Sequence, residues 1–264
     1  MISALIAARG GSVRLPRKNV LPFCGLPMVA WSIIAAKCSH LIDEVFVTTD
    51  DDEIREITRK YGAHVIDDPP RIEGQSALPA MVNGVRKMIT ACNPDTILGI
   101  LPTNPLHKPD DFDRVIRLFR EMGTDWLMPM RPLRETVLQE VVGQNRCKGV
   151  VFDKGFGYVE QGTFWTVSSP AWYLWMAAQA TAIKDKDLDK AAKEKPGPEH
   201  SYMPTEIWQF CDCDTVEDFE MGELLMEHFI LKGRGMQVYE DYASAGKQTV
   251  EDAIAAHAGN LAQQ

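Results

Sequence analysis

The chain has 264 residues, 45% hydrophobic and 25% charged, enough for one large globular domain, or a domain with a lobe, built on its own core. A formal net charge of -9 and a pI near 5.2 argue against broad binding to nucleic acid or to an anionic membrane surface. No apolar run approaches the length of a membrane span, no leader pattern opens the chain, and six scattered cysteines lack zinc or thioredoxin spacing, so a cytoplasmic protein with reduced thiols is expected.

The apolar run Ile2–Ala8 predicts the first strand of a parallel sheet. The loop after it, residues 7–19, holds adjacent glycines Gly10 and Gly11 and four cations, Arg9, Arg14, Arg17 and Lys18. Glycines let a backbone approach a ligand and point N–H groups at it, and cations beside them suit a polyphosphate. The loop matches neither G-x-G-x-x-G nor a Walker sequence, so by itself it is also compatible with a plain strand-to-helix turn carrying surface charge. Further strand-like runs follow at Glu44–Thr49 and Thr96–Leu101. Helical patterns lie at Met28–Cys38, Asp52–Tyr61, Ala80–Cys92 and Asp110–Met122. Asp50-Asp51-Asp52 and Pro109-Asp110-Asp111 are helix-start signals. Alternating strands and helices predict an α/β fold, a mostly parallel sheet with helices on both faces.

The middle is less regular. Trp126–Met130 predicts a strand, Val137–Val142 and Gly149–Phe152 an antiparallel pair, and Gly162–Ser168 another β segment. Residues 170–181 carry Trp172, Tyr173, Trp175 and Met176, a core or subunit-interface pattern, with a sugar-stacking platform as the alternative. The charge run from Lys184 to Lys190 reads as a solvated helix or connector. An inserted lobe across 131–203 accounts for the broken alternation. Glu206–Cys213 then predicts a strand and Val216–Leu231 an amphipathic helix. The tail from Lys232 is Gly-rich and polar, with a short helix expected at Thr249–Leu261.

A second constellation is Cys211-Asp212-Cys213-Asp214-Thr215. On a strand Asp212 and Asp214 point to one face. Two carboxylates so close repel unless a cation or hydrogen bonds compensate, and at the end of a sheet strand they make a hard oxygen site for Mg²⁺. The alternative is that Asp214 and Thr215 simply cap the helix from Val216. Cations for phosphates together with a carboxylate pair for Mg²⁺ are what a nucleoside triphosphate needs. Open α/β sheets place both beyond the carboxyl ends of their strands.

The segment Ala8-Arg9-Gly10-Gly11-Ser12-Val13-Arg14-Leu15-Pro16-Arg17-Lys18-Asn19 resembles the signature loop of the acylneuraminate cytidylyltransferases, the CMP-sialic acid synthetase family. Gly25–Ser32, Val47-Thr48-Thr49-Asp50, Leu101-Pro102-Thr103-Asn104-Pro105-Leu106 and Asp212-Cys213-Asp214-Thr215 with Glu217-Asp218-Phe219 resemble later segments, in the family's order, across residues 1–231. The resemblance implies a doubly wound α/β nucleotidyltransferase domain over 1–231 with a small inserted dimerisation lobe, a C-terminal extension over 232–264, and a homodimer. It implies transfer of CMP from CTP to a small anionic acceptor, a nonulosonic (sialic-like) acid, with release of pyrophosphate. Ala8, Arg9, Gly10, Gly11, Ser12, Arg14, Lys18 and Asn19 would bind the nucleotide. Arg9 would hold the triphosphate, Lys18 would stabilise the departing pyrophosphate, and Asp212 and Asp214 would hold Mg²⁺, with Asp212 also a candidate base. Thr103, Asn104, His107 and Gln161 would face the acceptor. Arg131 and Arg134 are further candidates for its carboxylate, or solvated charges.

The chain also departs from the family pattern. Val13 stands where the family usually has a basic residue, with Arg14 the nearest cation; Leu101 stands where the family has glutamine; and Gln75 stands where it has an acid. Gln161–Trp165 resembles the family's N-G-A-x-Y segment. Lost polar partners point to a changed acceptor. The alternatives are a related nucleotidyltransferase using another nucleotide such as GTP or a smaller acid, and a catalytically degenerate nucleotide-binding protein.

Overall fold

The computed structural model describes residues 1–70, 78–123, 126–132, 139–143, 146–149, 165–166, 172–176 and 201–244. Strands β1 (Ile2–Ala7), β4 (Glu44–Thr49), β5 (His64–Asp67) and β6 (Thr96–Ile100) form a parallel block in the order β5-β4-β1-β6. Between and after them run α1 (Met28–Cys38), α2 (Asp52–Lys60), α3 (Leu78–Cys92) and α4 (Pro109–Met122). Two short strands, β2 (Pro22–Phe23) and β3 (Leu26–Pro27), make a small hairpin before α1.

Side-chain alternation explains the layering. In β1, Ala4 and Ile6 enter one apolar cluster with Ile33 of α1, Ile54 of α2 and Phe112 and Val115 of α4. Leu5 points the other way, to Phe46, Val85 and Met88, where α3 covers the sheet. The fold is therefore doubly wound, with helices on both faces. Helix α1 is apolar nearly all round and buried on all sides except at Lys37. Helix α2 starts on Asp51, whose carboxylate accepts the Ile54 N–H at 3.1 Å. Helix α4 starts with Pro109 at its first position and ends at Gly123, which takes φ 62.

The chain runs outward from β1 to β4 and β5 and then returns to β6 on the other side of β1. That reversal makes the crevice beyond β1 and β6 the topological switch point. Beyond β6 the sheet continues through β7 (Trp126–Pro132), β10 (Trp165–Thr166), β11 (Trp172–Met176) and β12 (Ser201–Pro204). Strand β11 lies between β6 and β7 and is antiparallel to both. The aromatic run at 172–176 is thus an inner strand of the main sheet. Strands β8 (Gln139–Gly143) and β9 (Arg146–Gly149) form a separate antiparallel ribbon; the second segment read from the sequence, Gly149–Phe152, overlaps β9 only at Gly149, and 150–152 lie outside the described residues. Strands β10, β11 and β12, within the 131–203 span expected as a lobe, belong to the main sheet.

Two more expectations need correction. Glu206–Cys213 is not a strand: Ile207–Gln209 is a 3-10 turn, and 210–215 has no regular structure. The cause is Gln209, a buried amide that donates to the Leu106 carbonyl at 3.1 Å and to Asp111 at 2.8 Å and accepts the Glu206 N–H at 3.2 Å. Nor is the boundary at 231 a domain edge. Helix α5 (Val216–Leu225) runs through a π-helical turn (Met226–Leu231) into α6 (Arg234–Ser244), whose Tyr239 lies in the main core. Tyr239 donates to the His107 carbonyl at 3.1 Å, and Tyr242 to the buried Asp113 carboxylate at 2.8 Å. Asp113 also accepts from the Ser39 hydroxyl at 2.6 Å and the Leu41 N–H at 3.2 Å, joining α4, α6 and the end of α1. Thr249–Leu261 lies outside the described residues. Among the described residues no helix is long and apolar enough to cross a membrane.

Candidate active site

The loop after β1 is held by the end of β4. The Ala8 N–H donates to the Thr48 carbonyl at 3.0 Å, and the Gly10 N–H donates to the Asp50 carboxylate at 3.0 Å. A Cβ on Gly10 would sit 2.3 Å from Asp51 Oδ2, so any larger residue there must displace the Asp51 side chain. The buried Asn19 donates its amide to the Arg9 carbonyl at 2.9 Å, closing the loop on itself. Arg17, at φ 60, bonds Asp51 and Glu53. Those two bonds raise its pKa further above the ordinary arginine range. Burial by itself would raise the Asp51 carboxyl, but Arg17 and the Ile54 N–H outweigh it and hold it below its usual range. Arg17 therefore belongs to the wall of the loop.

The remaining cations face inward or are uncommitted. Lys18 Nζ donates to Asp214 Oδ1 at 2.5 Å, and Arg14 pairs with Oδ2 of the same carboxylate. Among the described residues Arg9 has no ion-pair partner. The acidic turn reaches this place through the backbone: Cys213 N–H donates to the Thr103 carbonyl at 2.8 Å, and Asp214 N–H to the Asp212 carbonyl at 2.9 Å. The next helix is capped by Thr215, which accepts the Asp218 N–H at 3.2 Å. The Asp218 carboxylate accepts the N–H groups of Asp214 at 3.2 Å and Thr215 at 2.9 Å. So the loops after β1 and β6 and the 211–215 turn converge at the switch point.

Asp212 and Asp214 do not share the face of a strand, since no strand is there. Asp214 faces the cationic loop, whereas Asp212 lines a groove of about 590 Å³ with Trp208, Phe210 and Met221. Among the described residues the Asp212 carboxylate has no hydrogen-bond or ion-pair partner, and no three His, Cys, Asp or Glu side chains form a metal cluster. The donor chemistry still fits Mg²⁺, which takes one or two carboxylates and completes its shell with water and phosphate oxygens. Asp214 can join such a shell only after its two cations move.

The acceptor residues divide. Thr103 is part of the convergence just described. Asn104 is buried, and among the described residues neither atom of its amide has a hydrogen-bond partner. A buried, unsatisfied amide costs about 1–3 kcal/mol, which a ligand could recover. His107 does not face an acceptor. It is fully buried, its Nε2 lies 3.2 Å from the Ser32 hydroxyl, and its ring packs against Phe112. Burial pushes its pKa down to about 3, so it is a neutral core imidazole. Gln161, Gln75 and Arg134 lie outside the described residues, and Arg131 is placed only as a backbone position in β7.

Sequence reasoning missed the second role of Asp50 and Asp51, read there as helix-start residues; they also anchor the glycine loop. It also missed Asp218 as the support of the acidic turn. The T-x-x-D spacing from Thr215 to Asp218 is the signal that would have found it.

Known proteins are similar to this chain in sequence and fold. A pseudaminic acid cytidylyltransferase of Campylobacter jejuni is 26% identical over 235 residues, 84% of this chain and 94% of that protein. A CMP-N,N'-diacetyllegionaminic acid synthase of Legionella pneumophila is 24% identical over 237 residues, 86% of this chain and 96% of its own. The solved structure of a CMP:2-keto-3-deoxy-manno-octonic acid synthetase complexed with CTP superposes with a TM-score of 0.61 at 18% identity, covering 86% of this chain and 98% of that one. The family described as cytidylyltransferase matches residues 3–156, which include the loops after β1 and β6, and the chain belongs to that family.

Proposed function

We propose that the protein transfers CMP from CTP to an acidic sugar of the nonulosonic type and releases pyrophosphate. The observation that carries the reading is the meeting of Arg14 and Lys18 with Asp214, on a turn whose backbone is bonded to Thr103, beyond β1 and β6. The near full-length similarity to pseudaminic and legionaminic acid enzymes supports the acceptor class.

The acceptor hydroxyl oxygen bonds to the α-phosphorus of CTP while the bond from that phosphorus to the β-phosphate oxygen breaks. Positioning and charge neutralisation are the protein's main tasks. The Gly11 N–H and the Arg9 guanidinium hold phosphate oxygens. Lys18 neutralises the charge that grows on the departing pyrophosphate. Asn104 orients the acceptor through its free amide. Asp212, with an uncommitted carboxylate, takes the hydroxyl proton. Mg²⁺, when held by Asp212 and Asp214, neutralises charge on the triphosphate.

A homodimer, which rests on the motif resemblance, and a cytoplasmic location, which rests on the scattered cysteines, belong to the same proposal; the aromatic run, now an inner strand, lends the dimer no support. The test is pyrophosphate release with each nucleoside triphosphate against a panel of sugar acids in the presence of Mg²⁺. Release with CTP and a nonulosonic acid is expected. Preference for GTP would overturn the cytidylyl assignment. CTP binding without release for any acid would mark a binding protein.

A further inference from the structure

Two cations of the first loop end on one carboxylate. Lys18 and Arg14 occupy the two oxygens of Asp214, whose side chain is 18% exposed. Lys18 is more buried than Asp214, but Arg14 is 70% exposed and lies at the solvent edge of the pair. Arg14 also acts on the neighbouring Asp218 carboxylate, which accepts the Asp214 and Thr215 N–H groups, so the cluster is a close pairing of cations and acids. Val13, the neighbour of Arg14, is exposed and uncharged and adds nothing to it.

We propose that Arg14 and Lys18 are triphosphate ligands stored on Asp214 in the nucleotide-free protein, and that their transfer to the phosphates uncovers Asp214 for the divalent cation. The inference rests on the CTP reading above. A triphosphate offers more oxygens and more negative charge than one carboxylate, and a guanidinium binds phosphate in a fork. While the two cations sit on Asp214, both of its oxygens are taken, and an approaching Mg²⁺ meets like charge. After transfer the same oxygens are free beside the phosphates. Nucleotide and metal then promote each other's binding by one common factor, as linkage requires. Arg14 is in this view a positioning residue for Asp214 as well as a phosphate contact.

Storage and a permanent structural bridge differ in the sign of their effects. CTP binding is measured by calorimetry in EDTA, and nucleotide-free Mn²⁺ binding by electron paramagnetic resonance, with thermal melting as a check on folding. Asp214→Asn removes the competitor for the cations, so metal-free CTP binding tightens by about threefold to tenfold. Arg14→Ala weakens metal-free CTP binding and tightens nucleotide-free Mn²⁺ binding, each by about threefold or more. CTP binding in EDTA that is unchanged or weaker in Asp214→Asn overturns the proposal. So does unchanged Mn²⁺ binding in Arg14→Ala, which decides alone if Asp214→Asn does not fold. A wild-type protein that binds no CTP, with or without metal, overturns the nucleotide reading instead.

Discussion

Cys213 donates its backbone N–H to the carbonyl of Thr103 at 2.8 Å. One bond thus links a turn late in the chain to the loop after β6, and with it Asp214 to the cations of the first loop. Being a main-chain contact, it constrains residues 101–107 and 211–215 by backbone path more than by side-chain identity. The side chains that converge there are the ones whose replacement is most informative.

Gly10 is the most sterically constrained of these positions. A methyl group at Gly10 must displace the Asp51 carboxylate, which lies 2.3 Å from the ideal Cβ position. Gly10→Ala is expected to cost about 1–3 kcal/mol and to weaken CTP binding tenfold or more. Melting and CTP titration of the variant check this; normal values for both would mean that the loop relaxes freely.

Arg9 and Arg17 should part company. Arg9, which has no ion-pair partner among the described residues, is available to phosphate; Arg17 is committed to Asp51 and Glu53. Arg9→Ala is expected to raise the half-saturating CTP concentration about tenfold or more. Arg17→Ala should instead lower stability by about 1 kcal/mol or less, since its pairs are partly exposed. Pyrophosphate-release kinetics and urea unfolding on both variants separate the two roles, and equal effects on CTP would refute the division.

Asp212→Asn leaves no partner stranded, because the carboxylate bonds nothing among the described residues. The fold should melt as the wild type does, while turnover falls about 100-fold or more. Near-normal turnover would remove Asp212 from both metal binding and proton transfer.

His107 predicts an acid sensitivity unrelated to catalysis. Its ordinary pKa is 6.5, and burial lowers it to about 3 in the folded protein. Between those values the unfolded chain holds the extra proton, so this contribution is full at neutral pH and is lost as pH falls from 6.5 toward 3. At pH 5 the loss is on the order of 2 kcal/mol. Urea midpoints at pH 5 and pH 7 should differ less for His107→Gln than for the wild type. An unchanged difference would place the acid sensitivity in other groups.

The parallel half was legible because its strands and helices are long and each keeps one period. Ala4 and Ile6 against Leu5, or Ile54 against the charges around it, state their faces in the sequence itself. Strand β5 escaped notice because His64–Asp67 is four residues with two exposed ends. Residues 206–213 misled because apolar Ile207, Trp208 and Phe210 read as extended, while Gln209, which sets the turn, finds its partners in Leu106 and Asp111 about a hundred residues away. The cationic loop and the acidic pair were readable as residue types. Their pairing was not: Lys18 and Asp214 are 196 positions apart, and no local pattern encodes that contact. His107 was misassigned because an imidazole in a polar-looking loop gives no sign of the Ser32 and Phe112 side chains that enclose it.

The ties from α6 to His107 and Asp113 decide where the chain can be cut. Removing residues beyond 244 leaves every one of those bonds in place. Removing Tyr242 strips a hydroxyl from a buried carboxylate, and removing Tyr239 opens the core beneath α4. A series of C-terminal deletions should therefore lose soluble yield in a step between residues 244 and 238 rather than by degrees.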